Sequence, residues 1–412
     1  MTADQLTRPA GAAASPAAPA ARLPFVVYVL AVGTFLMLTT EFVVAGLLPE
    51  IAGDLEVSVA RAGLLITVFA VGMIVGAPSM ALLTRRVPRR VTLVLALAVF
   101  AVGHVVVALG SSFPLLLAAR FVTAWATGAF WSVASVVATR AAGPAASARA
   151  LGLVGAGGML ANVVGVPLGA FAGQLTGWRG PFWALAALAL VAVPLIARHV
   201  RPEEEDRQPV PLRSELAAMR SGRLWLVLAA CATTTGGVLA AYSYVSPLLT
   251  DRAGIAAGLV PLVLVGFGVG SLVGTVIGGR LGDARPHATT LVVASVSTLV
   301  LLAISLLSAH AAPTVLLVCL LGLVGLSANP VLSALAVRFG GVAPTLAVAM
   351  SVSAYNLGTA VGSGMAGATL GTGLGAVGPV VVGTAVAALT LLPTTALAVA
   401  ARRRSAAVGA RS

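Results

Sequence analysis

Lysine is absent from this 412-residue chain, so all 25 of its Lys+Arg positions are arginines. Charge of either sign is scarce, at 9% of residues, and aromatic side chains make up 5%. Soluble domains carry roughly a quarter charged residues, so an ordinary water-exposed surface is excluded. The two cysteines, Cys231 and Cys319, are far apart and without metal-ligand neighbours, which removes the basis for a disulfide framework, a zinc site or thiol chemistry. Both read as packing residues. Also missing are His-Glu-x-x-His, Gly-x-Ser-x-Gly and any carboxylate pair within one apolar run. The glycine clusters GAGG (155–158) and GFGVGSLVG (266–274) fit neither nucleotide-loop spacing, and both lie inside apolar runs. No catalytic residue, cofactor, metal site or ATP-driven motor is expected.

What the chain has instead is hydrocarbon: 59% of residues are hydrophobic and the mean hydropathy is +1.05. A helix needs about 20 apolar residues to cross a core of about 30 Å. Twelve runs of that kind occur, over 24–48, 62–84, 91–111, 114–138, 150–174, 181–198, 224–249, 258–278, 288–308, 313–337, 344–370 and 378–400. They lack the ten-residue alternation of a membrane barrel, and in lipid each segment must satisfy its own backbone. An all-α integral membrane protein with twelve transmembrane helices follows.

The formal net charge of +13 follows the membrane and does not call for a nucleic-acid partner. With the amino terminus inside, Arg61, Arg179 and Arg252 fall outside, Arg120 falls within a span, and the other 21 arginines are cytoplasmic. The positive-inside rule then predicts a multi-pass cell-membrane protein with both termini cytoplasmic and its basic loops against anionic lipid head groups. Residues 1–22, rich in Ala and Pro, read as a disordered cytoplasmic tail. A six-helix half over 23–198, a cytoplasmic linker at 199–223 containing EEEDR, a second half over 224–400 and a basic tail at 401–412 complete the division. The halves echo one another. ALLTRRVPRR (81–90) and GRLGDARPHA (279–288) join corresponding spans at an offset of 198, and ANVVGVPLGAFAG pairs with YNLGTAVGSGMAG through Asn162 and Asn356.

Six plus six spans, a central basic loop and a Gly-x-x-x-Asp plus Arg element between the second and third spans of a half resemble the major facilitator superfamily over residues 23–400. TTEFVVAGLLPEIAGDLEVS, ARFVTAWATGAFWS and the Gly/Pro-rich fifth span look like its drug:proton antiporter branch with twelve helices, and are similar to chloramphenicol-resistance and sugar-efflux exporters. The resemblance implies that Asp283, with Gly279 and Arg285, latches the cytoplasmic side. The first-half loop departs from the pattern, with Ala81, Arg85 and Pro88 at the Gly, Asp and second Gly positions, and the fifth-span motif departs at Val166 before Pro167.

The residues themselves point to a site. Glu41 in the first span and Arg120 in the fourth are the deep charges besides His104, and each costs about 2.5–3.5 kcal/mol to insert. Arg120 shares a helix face with Thr123, Thr127 and Trp131, and Glu41 shares one with Thr34, Met37 and Val44. Met and Trp suit a flat, partly apolar ligand. Glu41 and Arg120 are therefore assigned to proton coupling, and Thr34, Met37, Glu41, Thr123, Thr127, Trp131 and Asn356 to substrate binding. A static bridge between the two charges is the structural alternative, and His104 reads as a packing histidine. Gly158, Gly165, Gly169 and Gly173 form a small-residue face beside Pro167, which bends the helix; Pro167, Gly165 and Gly169 join the gating set, with static helix packing as the alternative.

The expected function is proton-coupled export of a small neutral molecule, such as the antibiotic chloramphenicol, by a monomer whose partners are substrate, protons and lipid. Export of sugars or other metabolites, and uptake by symport, are the alternatives. One proton moving down about 100 mV and one pH unit supplies about 2.3 plus 1.4 kcal/mol, enough for a roughly 500-fold gradient of a neutral solute. Epitope tags at residues 5, 210 and 408 should all be cytoplasmic and a tag beside Asp54 external; an external tag at 210 would rule out the twelve-span topology.

Overall fold

The computed structural model describes residues 23–83, 87–143, 146–200, 221–341 and 344–409. The tail at 1–22, Arg85 and residues 201–220 of the linker lie outside the described residues.

Each of the twelve apolar runs is helical: α1 (Phe25–Gly46), α2 (Val59–Leu83), α3 (Arg89–Leu109), α4 (Phe113–Ala142), α5 (Arg149–Thr176), α6 (Arg179–His199), α7 (Gly222–Ser243), α8 (Ala257–Ala284), α9 (Pro286–Leu307), α10 (Ala311–Gly340), α11 (Pro344–Thr369) and α12 (Gly375–Arg403). No strand occurs among the described residues. Eleven of the helices are long and apolar enough to cross a membrane. The remaining one, α11, has 26 residues and is diluted by Ser351, Ser353, Asn356 and Ser363. The helix that completes α12 continues to Gly409, beyond the expected end of the span.

Local chemistry sets the boundaries. Ser112 caps α4 by accepting from the Leu115 amide, and Gly143 ends it at φ +74, a left-handed conformation that glycine adopts without strain. Pro167 has no N–H for the carbonyl one turn back, and α5 widens there into a π turn over Ala161–Gly165. The bend expected from Pro167 thus takes the form of an inserted residue.

The end of the bundle where α1 begins is here called the terminal face, and the other end the opposite face. Packing repeats between the halves: α1 lies on α5 as α7 lies on α11, α2 on α4 as α8 on α10, and α3 on α6 as α9 on α12. Between the halves, α2 meets α11 and α5 meets α8, again as counterparts. Glycine rows permit the approach. A Cβ on Gly72 would lie 2.6 Å from the Phe121 carbonyl oxygen, and one on Gly270, 198 residues later, 2.7 Å from that of Cys319. Gly76 and Gly274 repeat the contact one turn on, against Trp125 and Leu323. The cluster read in sequence as unrelated to nucleotide binding is therefore the surface on which α10 rests.

Most of the hydrophobic core that the halves share lies at one end, with a smaller shared cluster of Phe69, Met73 and Ala124 against Val352 between α2, α4 and α11. At the opposite face, Val43, Leu47 and Leu48 of the first half pack in one cluster with Tyr242, Tyr244, Leu248 and Leu264 of the second. Toward the terminal face the halves keep separate clusters, one around Leu97 and Phe130 and the other around Leu228 and Leu332. Tyr244, where α7 breaks, is 1% exposed. Its hydroxyl donates to the Ser363 carbonyl at 3.1 Å and lies against Gly63 of α2 and Gly367 of α11, so a second-half side chain wedges between one helix of each half. Beside it, Thr67 and Ser363 hydroxyls meet at 2.9 Å.

Three loops of the first half are tied at the opposite face by Arg179, which donates to Asp54 and, at 3.1 Å, to the Gly110 carbonyl. The hydrogen bond from Arg179 holds the Asp54 carboxyl below its usual range. A carboxyl depressed in the folded state contributes stability that is complete above its unfolded pKa of about 3.9 and lost as pH falls through the folded value. Thermal unfolding scans should therefore show wild type losing stability relative to Asp54→Asn below about pH 4, with the difference constant from there to neutrality. A difference independent of pH would show that the clasp carries no proton linkage.

The glycine rows make a second test. Gly274→Ala should cost about 1–3 kcal/mol by forcing α8 from α10. Gly279→Ala, whose nearest neighbour would be Pro330 at 4.0 Å, should stay within about 0.5 kcal/mol. Unfolding midpoints in detergent distinguish them.

Candidate functional site

Three helices of the first half bring their deep polar groups together in the opposite-face third of the bundle. Arg120 lies seven residues into α4, Glu41 five residues before the end of α1, and His104 five residues before the end of α3. At about 1.5 Å per residue they sit about 8–10 Å from the helix ends, displaced from the midplane toward the opposite face.

Arg120 is 1% exposed. Its Nη1 donates to Thr40 Oγ1 at 2.9 Å, its Nε points at the Leu65 carbonyl at 3.5 Å, and its Cζ lies 4.1 Å from the centre of the Phe69 ring. A cation over an aromatic face, with carbonyl and hydroxyl acceptors, is stabilised without an anion. Nη2 is buried and has no hydrogen-bond partner. Thr40 Oγ1 lies 2.7 Å from His104 Nε2, and His104 Nδ1 lies 2.7 Å from the Phe100 carbonyl. The histidine read as a packing residue is thus a member of a polar chain, stacked beside Phe100 with ring centres 3.9 Å apart.

Glu41 is half-buried and is not bonded to this chain. Among the described residues no ion pair joins it to Arg120, and no hydrogen bond reaches its carboxylate. One residue further, Phe42 meets Tyr242 of α7 edge-on at 6.2 Å, and Tyr242 stacks on Phe267 of α8 at 4.3 Å. Three rings from both halves thus meet one residue on from Glu41.

The remaining sequence candidates fall in three places. Thr34, Met37, Thr123 and Thr127 are packed shut between α1 and α4, each 0–1% exposed. Thr34 bonds the Leu30 carbonyl, Thr123 that of Arg120, and Thr127 both the Thr123 carbonyl and the Met37 sulfur at 3.4 Å. Trp131 is half-buried, against the Gly158 position of α5. Asn356 lies midway along α11 and donates to the Val352 carbonyl at 3.0 Å, while its buried Oδ1 has no partner. The glycine face of α5 is laid on α1: Gly165 on Thr39, Gly169 on Val43 and Gly173 on Leu47. Pro167 is buried beside them. The other face of α5 meets the second half, where Gly268 lies against the backbone of Asn162 and Val163.

Asp283 is exposed at the terminal face and, with Gly279, lines a cleft of about 210 Å³ that also holds Arg338. Among the described residues no ion pair is formed there. Arg285 is exposed on the far side, at the mouth of a separate apolar groove between α8 and α9. Gly282, passed over in the sequence, makes the close contact in this loop, against Val331.

Thr40 and Tyr244 were also missed. A threonine within a helix gives no outward sign that its hydroxyl bridges to other helices, and a tyrosine at a helix end does not reveal its slot. The charged chain has no counterpart in the second half: 198 residues on from Glu41, His104 and Arg120 stand Leu239, Leu302 and Val318.

Residues 30–376 match the family model described as Major Facilitator Superfamily. The chain is 37% identical over 360 residues to a chloramphenicol resistance protein of Streptomyces lividans, covering 87% of this chain and 92% of that one. It is 32% identical over 363 residues to the inner membrane transport protein YdhP of Escherichia coli K12, with 88% and 93% covered. To the putative transporter AraJ of the same strain it is 30% identical over 352 residues, with 85% and 89% covered.

Proposed function

The chain belongs to the major facilitator superfamily and is a multi-pass membrane transporter, and from that premise we propose that it exports a small, neutral organic molecule, such as chloramphenicol, in exchange for protons. The observation that carries this reading is Glu41: a half-buried carboxylate beside a fully buried arginine, with no ion pair between them. A carboxylate used only to neutralise Arg120 would be bonded to it. One left unpaired can take up a proton, and its environment changes when the halves rock. The name of the Streptomyces relative supports the substrate class. A neutral solute also gains the full work of the proton's charge, as a monocation would not.

The arginine distribution makes the terminal face cytoplasmic. On that orientation the shared core and the Tyr244 wedge lie at the outside, which supports reading this as an inward-facing arrangement. In it the cleft at Asp283 and Arg338 is open, consistent with a latch that engages when the cytoplasmic side closes. Glu41 and Arg120 form the coupling site, Trp131 and Asn356 contribute substrate contacts from facing halves, and Thr34, Met37, Thr123 and Thr127 shape the α1–α4 wall behind them. Gly165, Pro167 and Gly169 form the pivot of α5 on α1.

In inverted vesicles energised with a proton gradient, wild type should concentrate chloramphenicol and Glu41→Gln should not, while the variant keeps normal expression and substrate counterflow. A Gln variant that still concentrates the drug in a pH-dependent manner would make Glu41 structural. Wild type that moves no drug would overturn the substrate class.

A further inference from the structure

The polar chain at Arg120 has a direction. The Phe100 carbonyl can only accept, so His104 Nδ1 carries a hydrogen. In the neutral ring Nε2 is then an acceptor, and it takes the proton of Thr40 at 2.7 Å. With its proton committed there, the Thr40 oxygen turns its lone pairs to Arg120 Nη1 at 2.9 Å. A second proton on His104 would set two cations on one oxygen and leave the Thr40 hydrogen without an acceptor, in a space where His104 and Arg120 are each 1% exposed and Thr40 0%. The neutral arrangement satisfies every atom of the chain except Arg120 Nη2.

That exception bears on Glu41. Thr40 and Glu41 are consecutive on α1, about 100° apart around the helix axis. The arginine is held by the first, and the second is left unpaired. The other ionisable groups of the helices packed here lie away from the chain: Arg61 and Arg179 stand at the opposite-face ends of α2 and α6, Arg89, Arg90 and Arg149 at the terminal-face ends of α3 and α5, and Arg140, Arg198 and His199 at those of α4 and α6. Beside the chain, α2 presents the Leu65 carbonyl and Phe69, and α6 presents Phe182. The second half brings Tyr242 to Phe42. Glu50, whose buried Oε2 has no partner, stands nine residues beyond Glu41 in the short helix Leu48–Asp54, which leaves Glu41, consecutive with Thr40, as the acid of α1 beside Arg120.

We propose that Thr40, oriented by His104, is a positioning residue that parks Arg120 away from Glu41, so that loss of the Thr40 hydroxyl lets the guanidinium turn to the carboxylate. The placement stands on the hydrogen bonds alone; its consequence for transport rests on the proton-coupled reading above. Thr40→Val keeps the shape of the side chain and removes the acceptor, whereas Thr40→Ser keeps the acceptor.

The test is the protonation of Glu41, followed in purified protein in nanodiscs by the infrared band of the protonated carboxyl that Glu41→Gln abolishes. The midpoint should move to lower pH by about 1–3 units in Thr40→Val, the range for a carboxylate gaining an adjacent cation, and return to the wild-type value in Thr40→Ser. A folded Thr40→Val protein with the wild-type midpoint would overturn the proposal. Independently of any variant at Thr40, nitrogen NMR of wild type should show His104 as the Nδ1–H tautomer, and the other tautomer would equally overturn it. In inverted vesicles the acid limb of the pH–rate profile should shift in the same direction as the infrared midpoint. A midpoint that shifts while wild type shows no proton-coupled transport would support the positioning and overturn the transport reading alone.

Discussion

Helices in hydrocarbon gain nothing by hiding leucine from one another, because lipid is as apolar as the neighbouring helix; they associate where their backbones come close enough for dense van der Waals contact. In this chain that contact is made by glycine. The rows on α2 and α8 seat α4 and α10, the row on α5 seats α1, and Gly268 brings α8 onto the π turn of α5. The 46 glycines are therefore not a sign of looseness. They set the distances that hold α1, α2 and α4 close enough for one arginine to be bonded to a carbonyl of α2 and a hydroxyl of α1 within a fully buried space.

Once the helices are that close, Arg120 becomes the most demanding group in the first half. Its burial is tolerated because three kinds of neighbour share the charge: a carbonyl of α2, an aromatic face of α2 and a hydroxyl of α1 whose own proton is taken up by α3. None of these is an anion. The carboxylate that could have neutralised it remains on the adjoining face of α1. The cost of a buried cation is thus met locally, and the half-buried acid remains available for chemistry.

Most of the fold was legible in the sequence because run length and composition report directly on membrane crossing, and the twelve runs all became helices. The offset of 198 was legible because duplication preserves the position of loops and glycines, as Gly72 and Gly270 illustrate. The small-residue face of α5 could be read from its spacing, but not its partner: periodicity shows which residues share a face and says nothing about which helix lies against it. The same limit applies to the site. Glu41 and Arg120 stood out because charge is rare, whereas Thr40 is one of many threonines in spans, most of which bond their own backbone one turn back. His104 was read as packing because a lone histidine carries no pattern. Its role is created by the crossing of three helices, which no single segment encodes.

The packing of the halves is duplicated, but their ionisable groups are not. Leu239, Leu302 and Val318 stand where the first half has Glu41, His104 and Arg120, while the second half offers hydroxyls and amides such as Tyr355 and Asn356. Under the proposed mechanism, the proton chemistry of a repeated scaffold would be confined to one copy, while both copies face the solute. Such a division lets the two properties drift separately. On that reading, substitutions along α7, α10 and α11 would retune what is carried without disturbing the charged groups of α1, α3 and α4, so a lineage of such transporters would change cargo quickly while its engine stays the same.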